Sequence, residues 1–357
     1  MLEDMRQQIA SAAIKMREWE EMPRVSDEEE KQIIEHIALF DHSDEFRDVR
    51  ISGVDGSGDY PTLSYNDSFV YVTVAQGSSY RSHRAHGLQE EESLPPLIRV
   101  TWLPASNDAS SLELRDDLAD LAGEELLQTL ANSDYRSLKA RLSRKDTPPV
   151  QLAEHLLLPH AHDAGNLRIQ LCSTAEFGMA LRIIKSSDEG AYVLVDTTMS
   201  LPLVTRKDAS LFFEHVKRRC CSEARDRGVR FLALSKSHGL PSIGLIEGLA
   251  REKGGLPEGA SAEHWFLRLP VQGIDGWAFS LAEERLLPPP GAITYLVRFH
   301  RTTPVMRLDM DRRFWEEHIK GDELAEQALF QDLDYACHDQ RCYGYPYPIH
   351  AGMAARR

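Results

Sequence analysis

The sequence predicts an α/β fold built on one mixed sheet with helices on both faces. Two observations favour this class. Residues 48–103 hold three strand-like segments with no helical segment between them, which predicts an antiparallel start to the sheet. From Leu167 onward, strand-like and helical segments alternate, which is typical of βαβ units. The apolar run from Tyr192 to Val195 in that part predicts a strand that is covered on both faces.

Residues 1–45 are predicted to form a helical extension that is divided near Pro23. Ser26 is followed three residues later by Glu29, which is the spacing of a capping box at a helix N-terminus. The isoleucines from Ile33 onward supply an apolar stripe. We expect this extension to pack on the main body or on a partner chain.

Residues 46–357 are expected to form the main domain. Within it, residues 104–165 carry leucines at helical spacing with an acidic outer face, and we interpret them as a helical insertion. The connection 76–94 is interpreted as a flexible polar loop or a hairpin tip. The expected strands are 48–54, 69–75, 97–103, 167–171, 192–195, 229–235, 263–269, 293–300 and 304–310, and the expected helices are 112–142, 174–185, 208–226 and 321–336.

Composition and charge restrict the class of protein. No apolar run approaches the length that spans a bilayer, and the charged N-terminus is not typical of a secretory signal. The 5 cysteines are an odd number in a long chain, which disfavours a disulfide framework. These observations predict a cytoplasmic protein. The net charge of −15 disfavours nonspecific coating of nucleic acid, but it is compatible with a basic groove in an acidic body.

Asp55 is the first candidate site residue. It follows the apolar strand pattern that ends at Val54, and the glycines Gly56 and Gly58 come directly after it. A carboxylate at the mouth of a buried strand is unfavourable unless it is paired or binds a cation. The alternative interpretation is an ordinary turn aspartate.

Asp196 and Glu176 are the second and third candidates. Asp196 ends the apolar strand at 192–195, and it could instead cap the turn at Thr197 and Thr198. Glu176 flanks the apolar stripe of the preceding helix, and it could instead be an ordinary carboxylate near a helix N-terminus. Three converging carboxylates suit Mn²⁺ or Mg²⁺, and two such ions about 4 Å apart can activate water for phosphodiester hydrolysis.

Basic residues provide candidate phosphate contacts. Lys236 ends the strand at 229–235 and could bind a scissile phosphate, or it could be a solvated loop lysine. The segment 206–230 holds eight Lys or Arg residues and four Asp or Glu residues, so it is either a DNA-tracking surface or a solvated helix face. The candidate DNA-binding residues are Arg206, Lys207, Lys217, Arg218 and Lys236.

Other site classes find little support in the sequence. The histidines near position 160 and the cysteines near position 340 have no CxxC or HExxH spacing that would predict zinc. The chain has no P-loop and no GxSxG motif, which disfavours an ATPase motor and a serine hydrolase of the α/β type.

The order of several short motifs resembles that of the NurA nuclease family. The resemblance extends over roughly residues 48–350. Its motifs are Gly53 to Ser57, the helix with Glu176, Tyr192 to Asp196, Phe231 to Ser237, Tyr295 to Phe299, and the tail motif Gly344 to His350.

This resemblance implies an RNase H-like core and a Mn²⁺-dependent nuclease. It implies degradation of single- and double-stranded DNA with 5′→3′ polarity, and a homodimer that works with a HerA-type hexameric ATPase in DNA end processing or in defence against foreign DNA. By position, Asp55, Glu176 and Asp196 correspond to the metal ligands and Lys236 to the strand-end lysine. The resemblance adds His350 as a further metal ligand.

Two alternatives remain at the level of sequence. Thr197 follows Asp196 where the family more usually has a glycine. This departure favours a non-catalytic adaptor that binds DNA or the ATPase ring. A different RNase H-like enzyme that acts on RNA or on structured junctions is the third interpretation, because the sequence alone does not distinguish DNA from RNA.

Overall fold

A single sheet and its covering helices account for most of the described residues from 25 to 337. The structure is a computed structural model, and the residues that it describes are 5–11, 25–58, 63–65, 68–91, 93–104, 107–132, 164–199, 212–236, 242–271, 273–280, 291–337 and 345.

The described residues form eleven strands of one sheet and eight labelled helices, besides an exposed helical stretch at residues 5–11. In chain order they are α1 (Asp27–His36), β1 (Ile37–Leu39), β2 (Arg50–Ser57), β3 (Leu63–Ser64), β4 (Ser68–His83), β5 (Gly87–Glu90), β6 (Leu97–Pro104), α2 (Asn107–Ala122), α3 (Leu126–Asn132), α4 (Ala164–Ser186), β7 (Tyr192–Val195), α5 (Phe212–Asp226), β8 (Arg230–Ser235), α6 (Ile243–Lys253), β9 (Trp265–Arg268), β10 (Ala292–Arg298), β11 (Met306–Asp311), α7 (Arg312–His318) and α8 (Glu323–Ala336).

The centre of the sheet joins an antiparallel part to a parallel part. Strands β6, β4 and β2 pair antiparallel, and β2, β7 and β8 then pair parallel. Beyond β8, the strands β11, β10, β9 and β1 pair antiparallel. The predicted mixed α/β sheet with an antiparallel start and a βαβ continuation is therefore confirmed, and it has the RNase H-like arrangement that the sequence resemblance implies.

Alternation along the parallel strands explains why helices cover both faces of the sheet. Val193 and Val195 of β7 belong to the core cluster that includes α4 and α5, whereas Tyr192 and Leu194 belong to the cluster that includes α7 and α8. Because successive side chains point to opposite faces, a strand that is apolar throughout needs a cover on each side. All four residues of β7 are buried, as the continuous apolar run predicted.

The N-terminal segment is part of the sheet. Ser26 caps α1, and its side chain and that of Glu29 form the predicted capping box. Strand β1 then pairs with β9, with Ala38 opposite Phe266. Ile33 is fully buried in a third core cluster with residues of β9 and α6. Packing against β9 and α6, not the helical stripe alone, fixes this segment.

One local prediction was wrong, and a second was confirmed in one of its two alternatives. Residues 167–171 are not a strand but part of α4, because Leu167 and Leu171 are four residues apart and bury the same face of that helix. Most of the connection 76–94 is also regular structure. Strand β4 continues to His83 and turns into β5, with which it pairs antiparallel, so the hairpin alternative is confirmed and the flexible loop is not.

The described part of the insertion is helical. Helices α2 and α3 lie within residues 104–165, as expected, and the part from residue 133 to residue 163 is outside the described residues. Helix α2 packs on α4 through Leu114, Leu118 and Leu121. In the part of the chain that the structure describes, no helix is both long and apolar enough to cross a membrane.

Gly178 allows the end of α2 to approach α4. A Cβ atom at position 178 would lie 1.9 Å from the carbonyl oxygen of Leu121, which is far closer than atoms can pack. This contact fixes the position of α4 relative to the insertion.

We therefore expect Gly178→Ala to lower the free energy of unfolding by about 2–3 kcal/mol, because the backbone must move to relieve the overlap. The matched control is Gly248→Ala in α6, where an added Cβ meets nothing within 4 Å. That change should raise stability by about 0.5–1 kcal/mol, since alanine favours a helix interior. Urea unfolding measures both. Equal effects of the two substitutions would contradict the close packing.

His215 should make the fold sensitive to acid. Burial in α5 lowers the pKa of His215 from 6.5 to about 4. The unfolded chain therefore takes up a proton at a higher pH than the folded chain does, so stability falls as the pH drops from about 6.5 towards 4. Between pH 7 and pH 5 we expect this histidine alone to remove about 2 kcal/mol. Urea unfolding of the wild type and of His215→Leu at both pH values measures the difference, and identical pH dependence in the two proteins would contradict it.

Candidate active site

Two aspartates lie side by side at the carboxyl edge of the parallel strands. Strand β2 pairs with β7 so that Val54 is opposite Val195. Asp55 and Asp196 are the next residues along the two strands, and neighbouring strands are about 4.8 Å apart. The pairing of β2 with β7 stops at Val54, just before Asp55, whereas the pairing of β2 with β4 continues to Ser57. The register therefore brings together two acids that are far apart in the sequence.

Helix α4 supplies the third acid. A Cβ atom on Gly56 would lie 3.3 Å from the Cβ atom of Glu176 and 3.3 Å from the carbonyl oxygen of Cys172. A side chain at position 56 would therefore push the helix away from the strand. The glycine lets α4 approach, and this close packing puts Glu176 against the residue that follows Asp55.

The three carboxylates differ in exposure. Asp55 is 9% exposed, whereas the side chain of Asp196 is 27% exposed. The Oδ2 atom of Asp55 and the Oε1 atom of Glu176 are buried, and both residues interact with other parts of the protein. Buried carboxylate oxygens are stabilised by positive charge, which is what a divalent cation supplies.

Lys236 lies at the same edge of the sheet. It follows β8, and its Nζ atom is 3.7 Å from Oδ2 of Asp196. The same Nζ atom lies over the ring of Tyr345, 5.3 Å from the ring centroid. Both charged side chains of this pair are partly exposed, so the pair contributes little to stability. Its importance is positional, because it puts a cation beside the carboxylates.

Tyr345 is the one described residue beyond position 337, and its ring lies beside Lys236. It belongs to the tail motif Gly344 to His350, and it packs on the core cluster beneath α8. Burial raises the pKa of the Tyr345 hydroxyl. His350 lies outside the described residues, so its position relative to the carboxylates stays a prediction.

The donor set fits a hard divalent cation. Three carboxylates from β2, α4 and the end of β7 offer oxygen ligands, which Mg²⁺ and Mn²⁺ prefer. The three do not form a group whose ligand atoms all lie within 4.8 Å of one another, since the one such group in the described residues is elsewhere. Ligands of two ions about 4 Å apart are spread more widely than ligands of one ion.

Asp309 is a positioning residue that the sequence analysis missed. Its carboxylate accepts hydrogen bonds from the backbone of Met199 at 2.8 Å, from Thr294 at 2.7 Å and from Arg307 at 2.8 Å. It is fully buried, and it holds the turn that follows Asp196 onto β11. The sequence shows Arg307, Asp309 and Asp311 alternating with apolar residues along β11. Every residue of this strand is buried, so these charged side chains pair inside the protein.

The expected DNA-binding surface on α5 needs correction. Lys217 is 3% exposed and pairs with Glu214 at 2.9 Å, and Arg218 is 8% exposed and pairs with Asp311 at 2.9 Å. Both are internal because α5 packs against α4 and α7, so they do not present charge to DNA. Lys217 also donates to the carbonyl of Thr198 at 3.4 Å, which supports the turn after Asp196.

Most of the remaining candidate site residues lie outside the described residues. Arg206 and Lys207 lie outside the described residues, as do the histidines near position 160 and Cys342. Cys337 is buried at the end of α8. The candidates that lie within the described residues and near this edge of the sheet are therefore Asp55, Glu176, Asp196 and Lys236.

Comparisons with known proteins give matches among solved structures. No protein-family model and no curated protein matches the sequence. The chain is similar to the NurA nuclease from Sulfolobus solfataricus, with 14% identity, a TM-score of 0.42, and coverage of 99% of this chain and 89% of that one. It is similar to a structure of NurA with manganese, with 12% identity, a TM-score of 0.44, and coverage of 99% and 95%. A third match is NurA bound to dAMP and manganese, with 14% identity, a TM-score of 0.38, and coverage of 99% and 92%.

The close approach at Gly56 can be tested by stability. We expect Gly56→Ala to lower the free energy of unfolding by about 1 kcal/mol, because the added methyl group presses on the backbone of α4. Gly58→Ala is the matched control, since its Cβ would lie 3.6 Å from its nearest neighbours, an ordinary contact. Urea unfolding should show no loss for the control. Equal stability of the two variants would contradict the tight packing of α4 on β2.

Proposed function

We propose that this chain is a metal-dependent nuclease that hydrolyses phosphodiester bonds in DNA. The observation that carries the proposal is the β2–β7 register, which makes Asp55 and Asp196 the next residues along two paired strands, with Lys236 3.7 Å from Asp196 and Glu176 packed against Gly56. The motif order along the sequence supports it independently. A cluster of three carboxylates with one lysine suits a phosphate ester, which brings its own negative charge to bound cations.

In this proposal Asp55, Glu176 and Asp196 hold two Mn²⁺ ions, or Mg²⁺ in their place, with His350 as a further ligand. When bound, such ions activate a water molecule and stabilise the leaving oxygen of the scissile phosphate. The chain's own contribution is to fix these ligands. Buried Asp309 holds the turn behind Asp196, and Gly56 lets Glu176 lie close to the strand.

Lys236 is proposed to contact the phosphate of the substrate. Its ammonium group already lies 3.7 Å from Asp196 and over the ring of Tyr345. A lysine at that position acts as a point charge on a phosphate oxygen. In the proposed reaction it orients the scissile group and offsets the negative charge that develops on the phosphate.

The finer features of the proposal rest on the sequence resemblance. They are 5′→3′ exonuclease activity, endonuclease activity on single-stranded DNA, a cytoplasmic homodimer, and cooperation with a HerA-type hexameric ATPase in DNA end resection and repair or in anti-phage defence. The sheet offers a surface for such partners. Ile98, Val100 and Trp102 on the outer face of β6 are 62%, 60% and 49% exposed, and contiguous exposed apolar residues mark protein interfaces.

A non-catalytic adaptor is the second candidate function. The wide spacing of the three carboxylates and the threonine after Asp196 favour it. An adaptor would use the same sheet edge and apolar strand face to bind DNA or a partner ATPase without cutting.

Isosteric substitutions of the two aspartates test the proposal. We expect Asp55→Asn and Asp196→Asn each to reduce Mn²⁺-dependent degradation of end-labelled DNA by at least about 100-fold, because each removes a charged metal ligand. Asp48→Asn is the matched control, since Asp48 lies just before β2 with a side chain that is 70% exposed. EDTA should abolish the wild-type activity.

The assay includes single-stranded DNA, double-stranded DNA and RNA of the same sequence. Full wild-type activity in EDTA would refute a metal-dependent reaction. Binding of DNA without degradation, with every divalent ion and with the partner ATPase present, would support the adaptor instead. Faster degradation of RNA than of DNA would correct the substrate class.

A further inference from the structure

A second group of metal-type ligands lies away from the carboxylate site. His42 follows β1, His264 precedes β9, and Asp334 lies on α8. One ligand atom from each of the three falls within 4.8 Å of the other two. We propose that these residues bind one transition-metal dication of the Zn²⁺ type.

The topology separates this group from the candidate active site. Strands β9, β10, β11 and β8 pair antiparallel in turn, so the start of β9 lies at the same sheet edge as the carboxyl end of β8. From β9 to β7 there are four strand spacings, which is about 19 Å along the sheet. The ligands therefore cannot belong to an ion held by Asp55 and Asp196.

The distances suit a small ion with nitrogen and oxygen ligands. The Nδ1 atom of His42 is 2.7 Å from Oδ2 of Asp334, and the Nε2 atom of His264 is 3.6 Å from Oδ1 of Asp334. Ligands of tetrahedral Zn²⁺ lie about 2.0–2.2 Å from the ion, which puts neighbouring ligand atoms about 3.4 Å apart. The two distances lie on either side of that value, and side-chain rotation would bring the three ligand atoms around one ion.

The surroundings contain the further features of a metal site. The Nε2 atom of His42 lies 3.2 Å from Oδ1 of Asp44, and a ligating histidine commonly gives its second ring N–H to a carboxylate. Both histidines line a cavity of about 770 Å³, which gives solvent access and room for a water molecule as the fourth ligand. Asp334 is buried beneath them, with a side chain that is 3% exposed.

The backbone holds His264 in an uncommon conformation. Its φ angle is 57°, in the left-handed region, and it is the one non-glycine residue with positive φ in the described part of the chain. That conformation is unfavourable for a residue with a side chain. The carbonyl of His264 accepts a hydrogen bond from Phe40 at 2.9 Å, so the same residue anchors the chain just before His42.

A simple ion-pair cluster is the alternative to a metal site. The rings of His42 and His264 stack with centroids 5.5 Å apart. Asp334 faces both rings, and Asp44 faces the other nitrogen of His42. A dication instead binds both rings in their neutral form and uses the carboxylate as its third ligand. In this position it would tie the N-terminal segment and the start of β9 to α8.

Metal titration of the full chain tests the site. The protein used is the Asp55→Asn, Asp196→Asn double variant, so that binding at the carboxylate site is removed and the outcome is independent of nuclease function. After treatment with a chelator, Zn²⁺ is titrated by calorimetry, and Co²⁺ is titrated by its visible absorption, which reports the coordination number. We expect one equivalent of Zn²⁺ to bind, and Co²⁺ to give the strong absorption of a four-coordinate ion.

Added to that variant, His42→Ala should weaken Zn²⁺ binding by at least about 100-fold, because it removes one of three protein ligands. His42 is partly exposed on a loop, and circular dichroism checks that the fold persists. His300→Ala is the matched control, since His300 has similar exposure and faces one carboxylate, Glu263, at 3.9 Å. No binding in the double variant would overturn the proposal, and so would binding that His42→Ala leaves unchanged.

Discussion

The parallel pairing of β2 with β7 is the constraint on which the candidate active site depends. Its register sets Val54 opposite Val195 and so makes neighbours of Asp55 and Asp196, which are separated in the sequence by strands β3 to β6 and the helical insertion. The hydrogen bonds of this pairing are buried between core clusters on both faces of the sheet. If β7 shifted by one residue relative to β2, every side chain of β7 would turn to the opposite face of the sheet. The burial pattern that fixes the strand therefore also fixes the position of Asp196.

Close packing around this pair completes the arrangement. Glycines at positions 56 and 178 let α4 approach β2 on one side and the end of α2 on the other. Behind Asp196, the buried carboxylate of Asp309 and the ammonium group of Lys217 hold the following turn. Lys217 and Arg218 of α5 thus form ion pairs inside the protein. The turn after Asp196 is held by Asp309 and Lys217, which are buried.

The strands and acids could be predicted from local pattern, whereas their partners could not. Asp55 and Asp196 were evident because each follows an apolar strand, and their neighbourhood followed from the βαβ alternation. Residues 167–171 were predicted as a strand and are helical, because a short apolar segment such as Leu167 to Leu171 fits both the strand period and the helix period. Lys217 and Arg218 were assigned to the surface, since charge alone does not reveal a buried partner such as Asp311. His42, His264 and Asp334 are too far apart in the sequence to form a recognisable motif. The pairing of β1 with β9 and the packing of α8 bring them together.

The central claim is that the edge formed by β2 and β7 binds a divalent cation. The most direct measurement is anomalous scattering from a crystal grown with Mn²⁺. The account predicts a manganese peak between the carboxylates of Asp55 and Asp196, with an oxygen of Glu176 among its ligands. A crystal with Mn²⁺ in the solution and no peak at these aspartates would contradict it, as would a peak found solely at His42 and His264.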